Sequence, residues 1–240
     1  MTTPSPLSAA ALEAALLGEN AEARASFRKK HESRLRGVLR ACQGAYGLLW
    51  PLYQLPNGDS RSNHATAFLH MAFNSVLTST NLLVAGYPLP AGNQMRHAAE
   101  AVAMALLMCD DQSHVFEEFS ERTIKFPVDA APSRLMQRRQ WERLVRLFDL
   151  QEDGQEHLID LQRFYSDFSH AGALALAYHL HFGVEGAVII GAEHDAEKDK
   201  VIPIELSARV TAFETIGELG QRVEKLLSAS GKGPGTATSA

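Results

Sequence analysis

The chain has 240 residues, of which 45% are hydrophobic and 21% are charged, and its formal net charge at pH 7 is −5. This composition is ordinary for a globular protein and excludes an intrinsically disordered chain. The acidic balance excludes a protein that coats nucleic acid with a generally basic surface, so any RNA contact has to use local basic patches.

The N-terminal segment at 1–20 has no basic stretch, and Glu13 interrupts its apolar run, so it does not resemble a secretory signal. No apolar run reaches the ~18 residues that a membrane span needs. We therefore expect a cytoplasmic protein with no membrane-bound part. Both cysteines, Cys42 and Cys109, lie in apolar helical patterns and are expected to be buried, reduced thiols.

Apolar residues recur every three or four positions through most of the chain, which is typical of helices with one buried face. In the second predicted helix this core row includes Leu39 and Tyr46, and in the third it includes Leu77. Gly86 followed by Pro88 ends the third helix. The predicted helices cover residues 8–17, 21–53, 64–84, 91–109, 133–150, 155–169, 174–182 and 207–227.

The pattern changes near the C-terminus. Residues 186–191 and 201–204 are predicted as two short strands, with a charged turn at 194–199 and with Pro203 in an edge strand. A hairpin alone is only marginally stable, so we expect it to lie against the helices. The predicted fold is mainly α, a bundle of five to seven helices with a small β-hairpin before the last helix. The predicted regions are an N-terminal segment at 1–20, a helical bundle at 21–182, the hairpin and C-terminal helix at 183–228, and a disordered tail at 229–240.

The helix at 91–109 is apolar almost all round, which is typical of a helix buried in the core, yet it carries Arg96 and Glu100. These two residues are four apart and therefore neighbours on the helix. A buried charge is unfavourable unless it is paired and hydrogen-bonded, so a second polar group should meet them. We expect that group to be the later row formed by Arg163, Asp167 and His170. The alternative is an ion pair with a purely structural role.

Arg163 and His170 share one face if their helix continues to His170, because seven residues make nearly two full turns of a helix. Asp167 lies between them, and Ser169 is close by. An arginine can hold a phosphate through two hydrogen bonds, and a histidine can transfer a proton near neutral pH. Together they could cleave RNA without a metal by activating a ribose 2′-OH. The alternative is an exposed Arg–Asp pair with a histidine that closes the helix.

Other chemistry has little support in the sequence. His97-x-x-Glu100 and Asp111-x-x-His114 differ from the Glu-x-x-His motif of di-metal bundles in their order or their acid. There is no Gly-rich phosphate loop, no Gly-x-Ser-x-Gly turn and no His-Glu-x-x-His motif. We therefore predict neither a metal nor a cofactor.

Two short segments resemble helical bacterial families, some of them abortive-infection-like proteins. They are the Gly86-Tyr87-Pro88 turn that leads to Arg96-His97-Ala98-Ala99-Glu100, and the run Phe164-Tyr165-Ser166-Asp167-Phe168-Ser169-His170. Arg163 and His170, with six residues between them, also fit the Arg-x(4–6)-His pattern of the HEPN superfamily. This resemblance covers residues 60–182.

The HEPN resemblance implies a helical protein of defence or stress response that acts as a metal-independent endoribonuclease. RNA is then the substrate, His170 the base and Arg163 the phosphate holder. It also implies a homodimer in which the two Arg–His pairs face each other across a shared cleft. Phe164 departs from the family, which usually has a polar residue after the motif arginine. The alternative function is a non-catalytic helical module that binds a protein partner or a small ligand, with Arg96 and Glu100 merely structural.

Overall fold

The structure, a computed structural model, describes residues 18, 20–54, 60–110, 138–151, 153–168, 173–180 and 196–229. The secondary structure of these residues is almost entirely helical, which confirms the mainly α prediction. The helices are α1 (Ala21–Gln54), α2 (Ser60–Val84), α3 (Pro88–Cys109), α4 (Arg138–Phe148), α5 (Gly154–Ser166), α6 (Ala173–His179), a 3-10 helix (Ala196–Lys200) and α7 (Ile202–Ala229).

The turn between α2 and α3 forms where Gly86 and Pro88 predict it. Gly86 has φ of 87°, a left-handed conformation that glycine adopts without steric strain. Pro88 then occupies the first turn of α3, where its missing N–H has no helical partner to lose. Because the turn is so short, α2 and α3 run antiparallel and pack along most of their length.

The predicted β-hairpin is not seen, and the prediction of its second strand is wrong. Residues 202–204 form the first turn of α7, and the part of the chain that the structure describes contains no β-strand. Pro203 fits this first turn for the same reason as Pro88, whereas the sequence interpretation placed it in an edge strand. The first predicted strand, at 186–191, lies outside the described residues. So do the predicted N-terminal helix and, apart from Ala229, the predicted tail.

Two helix pairs hold the bundle together: α2 with α3, and α1 with α7. The second pair is close because α7 presents glycines to α1. A Cβ added at Gly217 would lie 2.9 Å from the Cα of Ala45, and one at Gly220 would lie 2.4 Å from Leu49 Cδ2. α5 packs on α3 in the same manner, since a Cβ at Gly92 would overlap the ring of Phe168.

The C-terminal half of α3 is buried throughout residues 101–108, as the sequence predicts. Three residues that were predicted in the core row are instead exposed: Leu39, Tyr46 and Leu77. The buried row of α1 runs through Val38, Ala45, Leu49 and Leu52. Those side chains face α2 and α7. Leu39 and Tyr46 lie one position further round the helix, where the neighbours leave about half of each side chain exposed, although the ring of Tyr46 lies 6.0 Å from that of Phe73 in α2.

Two polar contacts tie the later helices to this core. Arg222 of α7 donates hydrogen bonds to the carbonyls of Phe148 and Asp149, at the end of α4. Asp110, at the end of α3, accepts from Arg143 of α4 at 2.6 Å. Among the described helices, none is both long enough and apolar enough to span a membrane.

Candidate functional site

The Arg96–Glu100 pair forms as predicted, and it is mostly but not completely buried. Arg96 Nε donates to Glu100 Oε1 at 2.9 Å, and the two side chains are 16% and 20% exposed. The pair lies in the N-terminal half of α3, which the bundle covers less completely than residues 101–108. Water therefore solvates part of both charges, in addition to the ion pair that they make with each other.

The second predicted row is at the surface. The side chain of Arg163 is 75% exposed, and its Nη1 donates to Asp160 Oδ1 at 3.2 Å, one turn away on the same helix. Asp167 is exposed, and α5 ends at Ser166, earlier than predicted. Ser169 and His170 lie outside the described residues, so the Arg163–His170 site stays a prediction. The ionic contact of Arg163 is with Asp160 and not with Glu100.

The polar centre of the bundle is a different Arg–Glu pair, which sequence reasoning missed. Arg209 of α7 is fully buried, and its Nη1 donates to the Glu205 carboxylate at 2.7 Å. Its Nη2 donates to Ser79 Oγ of α2 at 2.8 Å, and Ser79 Oγ donates to the carbonyl of Ala91 in α3 at 2.6 Å. The hydroxyl of Tyr165 in α5 donates to Glu205 Oε2 at 3.2 Å. This buried network therefore joins four helices.

The electrostatics of the buried network keep its phenols protonated. Burial raises the pKa of Tyr165, and the negative charge of Glu205 raises it further. Burial and then Glu205 likewise raise the pKa of Tyr178 to about 12. Both phenols therefore stay neutral at physiological pH, and Tyr165 remains a hydrogen-bond donor. Since Glu205 and Arg209 are sealed in the core, the network is structural and is no place for a substrate.

A sequence signal for this network did exist. Glu205 and Arg209 are four residues apart, the same spacing as Arg96 and Glu100. The predicted strand at 201–204 delayed the start of the last helix to Ser207, which left Glu205 outside it. With α7 beginning at Ile202, both residues lie in the helix and face inward.

An open groove of about 460 Å³ runs between α2 and α3. His97 Nδ1 lies 2.9 Å from Ser75 Oγ, and His70 Nδ1 lies 3.1 Å from the Asn74 amide nitrogen. Ser75 sits inside a helix, where its own N–H belongs to the helical ladder and cannot stabilise an oxyanion. The groove thus offers hydrogen-bonding side chains, such as His97, His70 and Asn74. Its lining residues are Ala67, His70, Met71, Asn74, Ser75, Thr78, Gln94 and His97.

A row of apolar and aromatic side chains on α1 lies at the surface next to this groove. Its members, here called the α1 stripe, recur every three or four residues. Tyr46 is 46% exposed, Trp50 is 49% exposed, and their ring centroids are 5.8 Å apart. The ring of Tyr53 lies 4.9 Å from that of His70 and so connects the stripe to the groove. The α1 stripe consists of Leu39, Cys42, Tyr46, Trp50 and Tyr53.

The described helical segments that form the α1 stripe and the groove contain long stretches without charged residues. Residues 41–58 and 62–95 contain no Asp, Glu, Lys or Arg. Arg40, next to Leu39, lines a different groove, where the acidic residues Glu214 and Glu218 of α7 face it. We call the α1 stripe together with the α2–α3 groove the uncharged face. Large exposed aromatic side chains without nearby charge are typical of the centre of a protein–protein interface.

The chain matches no protein-family model, no curated protein and no solved structure in the comparisons made. Within the described ranges, no group of three or more His, Cys, Asp or Glu side chains is placed to hold a metal ion. A function is therefore inferred from two surfaces: the uncharged face and the exposed end of α5 around Arg163.

Proposed function

We propose that this chain is a non-catalytic helical module that binds a protein partner through its uncharged face. The observation that carries the proposal is the exposure of Tyr46 and Trp50, each about half open to solvent. Tyrosine and tryptophan are the residues that most often contribute strongly to binding energy at interfaces. Each has only two side-chain torsions to fix when a partner covers it, so ordering the ring opposes binding less than ordering a long charged side chain.

The chemistry of the uncharged face limits what it binds. Nucleic acid is held mainly through contacts between phosphates and Lys or Arg, and residues 41–58 and 62–95 supply neither. A strongly acidic or basic protein would lose hydration of its own charges there without gaining a counter-charge. The fitting partner is therefore a protein surface that is itself apolar or uncharged. The groove imidazoles and amides, such as His97 and Asn74, can take the hydrogen bonds at the rim of that interface.

Site-specific photo-crosslinking in cells tests this proposal. Benzoylphenylalanine in place of Trp50 should give covalent adducts to protein, because the partner covers that position. The same group in place of Leu147, which is 42% exposed on α4, provides the matched control and should give none. Mass spectrometry identifies each adduct, and a second substitution, Tyr46→Lys, should abolish it. Equal crosslinking from both positions, or none from position 50, contradicts the proposal.

The second candidate function is metal-independent cleavage of RNA by Arg163 and His170, in defence or stress response. The observation that favours it is the exposure of the Arg163 side chain, which is 75% open and, among the described residues, is paired with the exposed Asp160. A guanidinium in that position can exchange its carboxylate for a phosphate of the substrate. The resemblance to the HEPN superfamily supplies the role of His170.

RNA cleavage is measured with the purified chain in the presence of a chelator. If the second candidate is correct, His170→Ala abolishes cleavage and leaves the melting temperature nearly unchanged, and Arg163→Ala weakens it severely. Arg36→Ala is the control, because Arg36 is also exposed and paired with a glutamate one turn away. A wild-type chain that cleaves no RNA, or a His170→Ala variant that still does, excludes this candidate.

A further inference from the structure

The spacing of the α1 stripe is the same in both directions along the helix. Counted from Tyr46, its members lie at −7, −4, +4 and +7. Seven residues return to within about 20° of the same side, so the stripe stays on one face of α1. Two copies of α1 that run antiparallel and cross at Tyr46 therefore place each stripe residue opposite a stripe residue of the other copy. Tyr46 meets Tyr46, Cys42 meets Trp50, and Leu39 meets Tyr53.

Charge favours a second copy as the occupant of this face. The chain carries a net charge of −5, so two copies repel each other at most orientations. Contact through residues 41–54 and 62–84 brings no side-chain carboxylate or cation of either copy into the centre of the interface. An uncharged surface is complementary to itself, whereas a surface of one sign is not.

The exposed area of the α1 stripe shows how much of such an interface the stripe itself can supply. A tyrosine or tryptophan buries roughly 150–250 Å² when covered, so the two half-exposed rings of Tyr46 and Trp50 offer about 200 Å² between them. A stable interface buries about 800 Å² per partner. The stripe is thus its centre, and α2 must contribute the remainder. Leu77, which is 47% exposed one turn beyond Phe73, and the groove residues are the available surface.

We propose that the partner of the uncharged face is a second copy of this chain, bound by a two-fold, antiparallel crossing of α1 with α1 at Tyr46. This inference rests on the proposed function, because it names the partner of the same face. It differs from the dimer that the HEPN resemblance implies, in which Arg163 and His170 face their counterparts.

Sedimentation velocity of the purified full chain over a concentration series measures the dimer. The wild-type chain should form a dimer whose population rises with concentration. Tyr46→Lys should weaken dimerisation at least about 30-fold, since two lysines would then meet at the crossing point. Leu147→Lys, at an exposed leucine of α4, should leave it unchanged. Circular dichroism of each variant verifies that the helices remain.

Disulfide crosslinking measures the register of the two α1 helices in the proposed dimer. At a helix spacing of about 10 Å, the two Cα atoms at the crossing are about 5 Å apart, which suits a disulfide. Tyr46→Cys in a Cys42→Ser background should therefore give a crosslinked dimer on mild oxidation. Leu39→Cys alone should not, because its two copies lie roughly 20 Å apart along the axis. A mixture of Leu39→Cys and Tyr53→Cys chains should crosslink.

Each remaining result overturns the inference. A dimer that crosslinks through Arg163→Cys but not through Tyr46→Cys has the arrangement that the HEPN resemblance implies. A monomer at all concentrations, whose position 50 photo-crosslinks to another identified protein, excludes self-association and leaves the proposed function intact. A monomer whose position 50 photo-crosslinks to nothing overturns both.

Discussion

The bundle contains two Arg–Glu pairs of the same spacing in two different environments. Arg96 and Glu100 on α3 are 16% and 20% exposed, whereas Arg209 and Glu205 on α7 are 0% and 5% exposed. The first pair is surrounded by apolar residues in the sequence, yet it lies where α3 is partly open. The second pair also has apolar neighbours in the sequence, such as Ile204, Leu206 and Val210, and three other helices enclose it. Burial of a charge is thus decided by which helices pack around it.

The two pairs differ in burial because they have different hydrogen-bonding partners. Arg209 has Ser79 on α2 to accept from it, and Glu205 has Tyr165 on α5 to donate to it. Such a network is tolerated in the core because nearly every polar atom is hydrogen-bonded. Arg96 and Glu100 keep part of their hydration instead. The two pairs should therefore respond very differently to substitution.

The largest effect is expected at Arg209. Arg209→Ala leaves the carboxylate of Glu205 buried without its counter-charge, and the free energy of unfolding should fall by about 3–5 kcal/mol. Chemical denaturation monitored by circular dichroism measures this change. Joint replacement of Glu205 and Arg209 by leucine should be less damaging than Arg209→Ala, since it leaves no uncompensated charge. A loss below about 1 kcal/mol for Arg209→Ala contradicts the buried network.

A smaller effect is expected at Gly92, which tests how tightly α5 covers the half of α3 that carries Arg96. A Cβ at this position would lie 2.3 Å from the ring of Phe168, so Gly92→Ala should destabilise the fold by about 1–3 kcal/mol. Gly47→Ala is the matched control. Its Cβ meets nothing within 4 Å, and it should stabilise α1 by about 0.5–1 kcal/mol. Similar stabilities for the two variants would show that α5 does not pack against Gly92.

The hydroxyl of Tyr165 should make stability depend on alkaline pH. The unfolded chain loses the tyrosine proton near its ordinary pKa of 10.0, whereas the folded chain retains it because its pKa is raised. The contribution of Tyr165 to stability is therefore constant below about pH 10 and falls as the pH rises above it. Tyr165→Phe should reduce that fall and lower stability at neutral pH by about 1 kcal/mol. Tyr46→Phe, at an exposed tyrosine, is the control, and an unchanged alkaline slope in Tyr165→Phe refutes the assignment.

The smallest effect is expected at Arg96. Its pair with Glu100 is partly exposed and therefore partly screened by solvent, so Arg96→Ala should change the free energy of unfolding by less than about 1 kcal/mol. Chemical denaturation of Arg96→Ala and Arg209→Ala under the same conditions compares the two losses in the free energy of unfolding directly. If Arg96→Ala proves as destabilising as Arg209→Ala, the two environments do not differ in the way described here.

The helices could be predicted because the apolar period is a local signal. Residues 101–108 and the row of Trp141, Leu144 and Phe148 are buried where the period places them. The period does not say how far round a helix the neighbours extend, and so Tyr46 was assigned to the core. The strand predicted at Pro203 is wrong for a related reason, since proline fits both an edge strand and a first helical turn. The pairing of Arg209 with Ser79 is a contact between distant segments, which no local pattern contains.

The order of the helices has a consequence for how the chain folds. α2 and α3 are joined by a short turn at Gly86, so their pairing closes almost no loop and can occur within microseconds of collapse. α1 pairs chiefly with α7, and residues 55–201 separate the two. During synthesis on the ribosome, the inner side of α1 at Ala45 and Leu49 therefore waits until Gly217 and Gly220 have emerged. Over that interval this apolar inner side is exposed, and transiently exposed apolar surface favours aggregation.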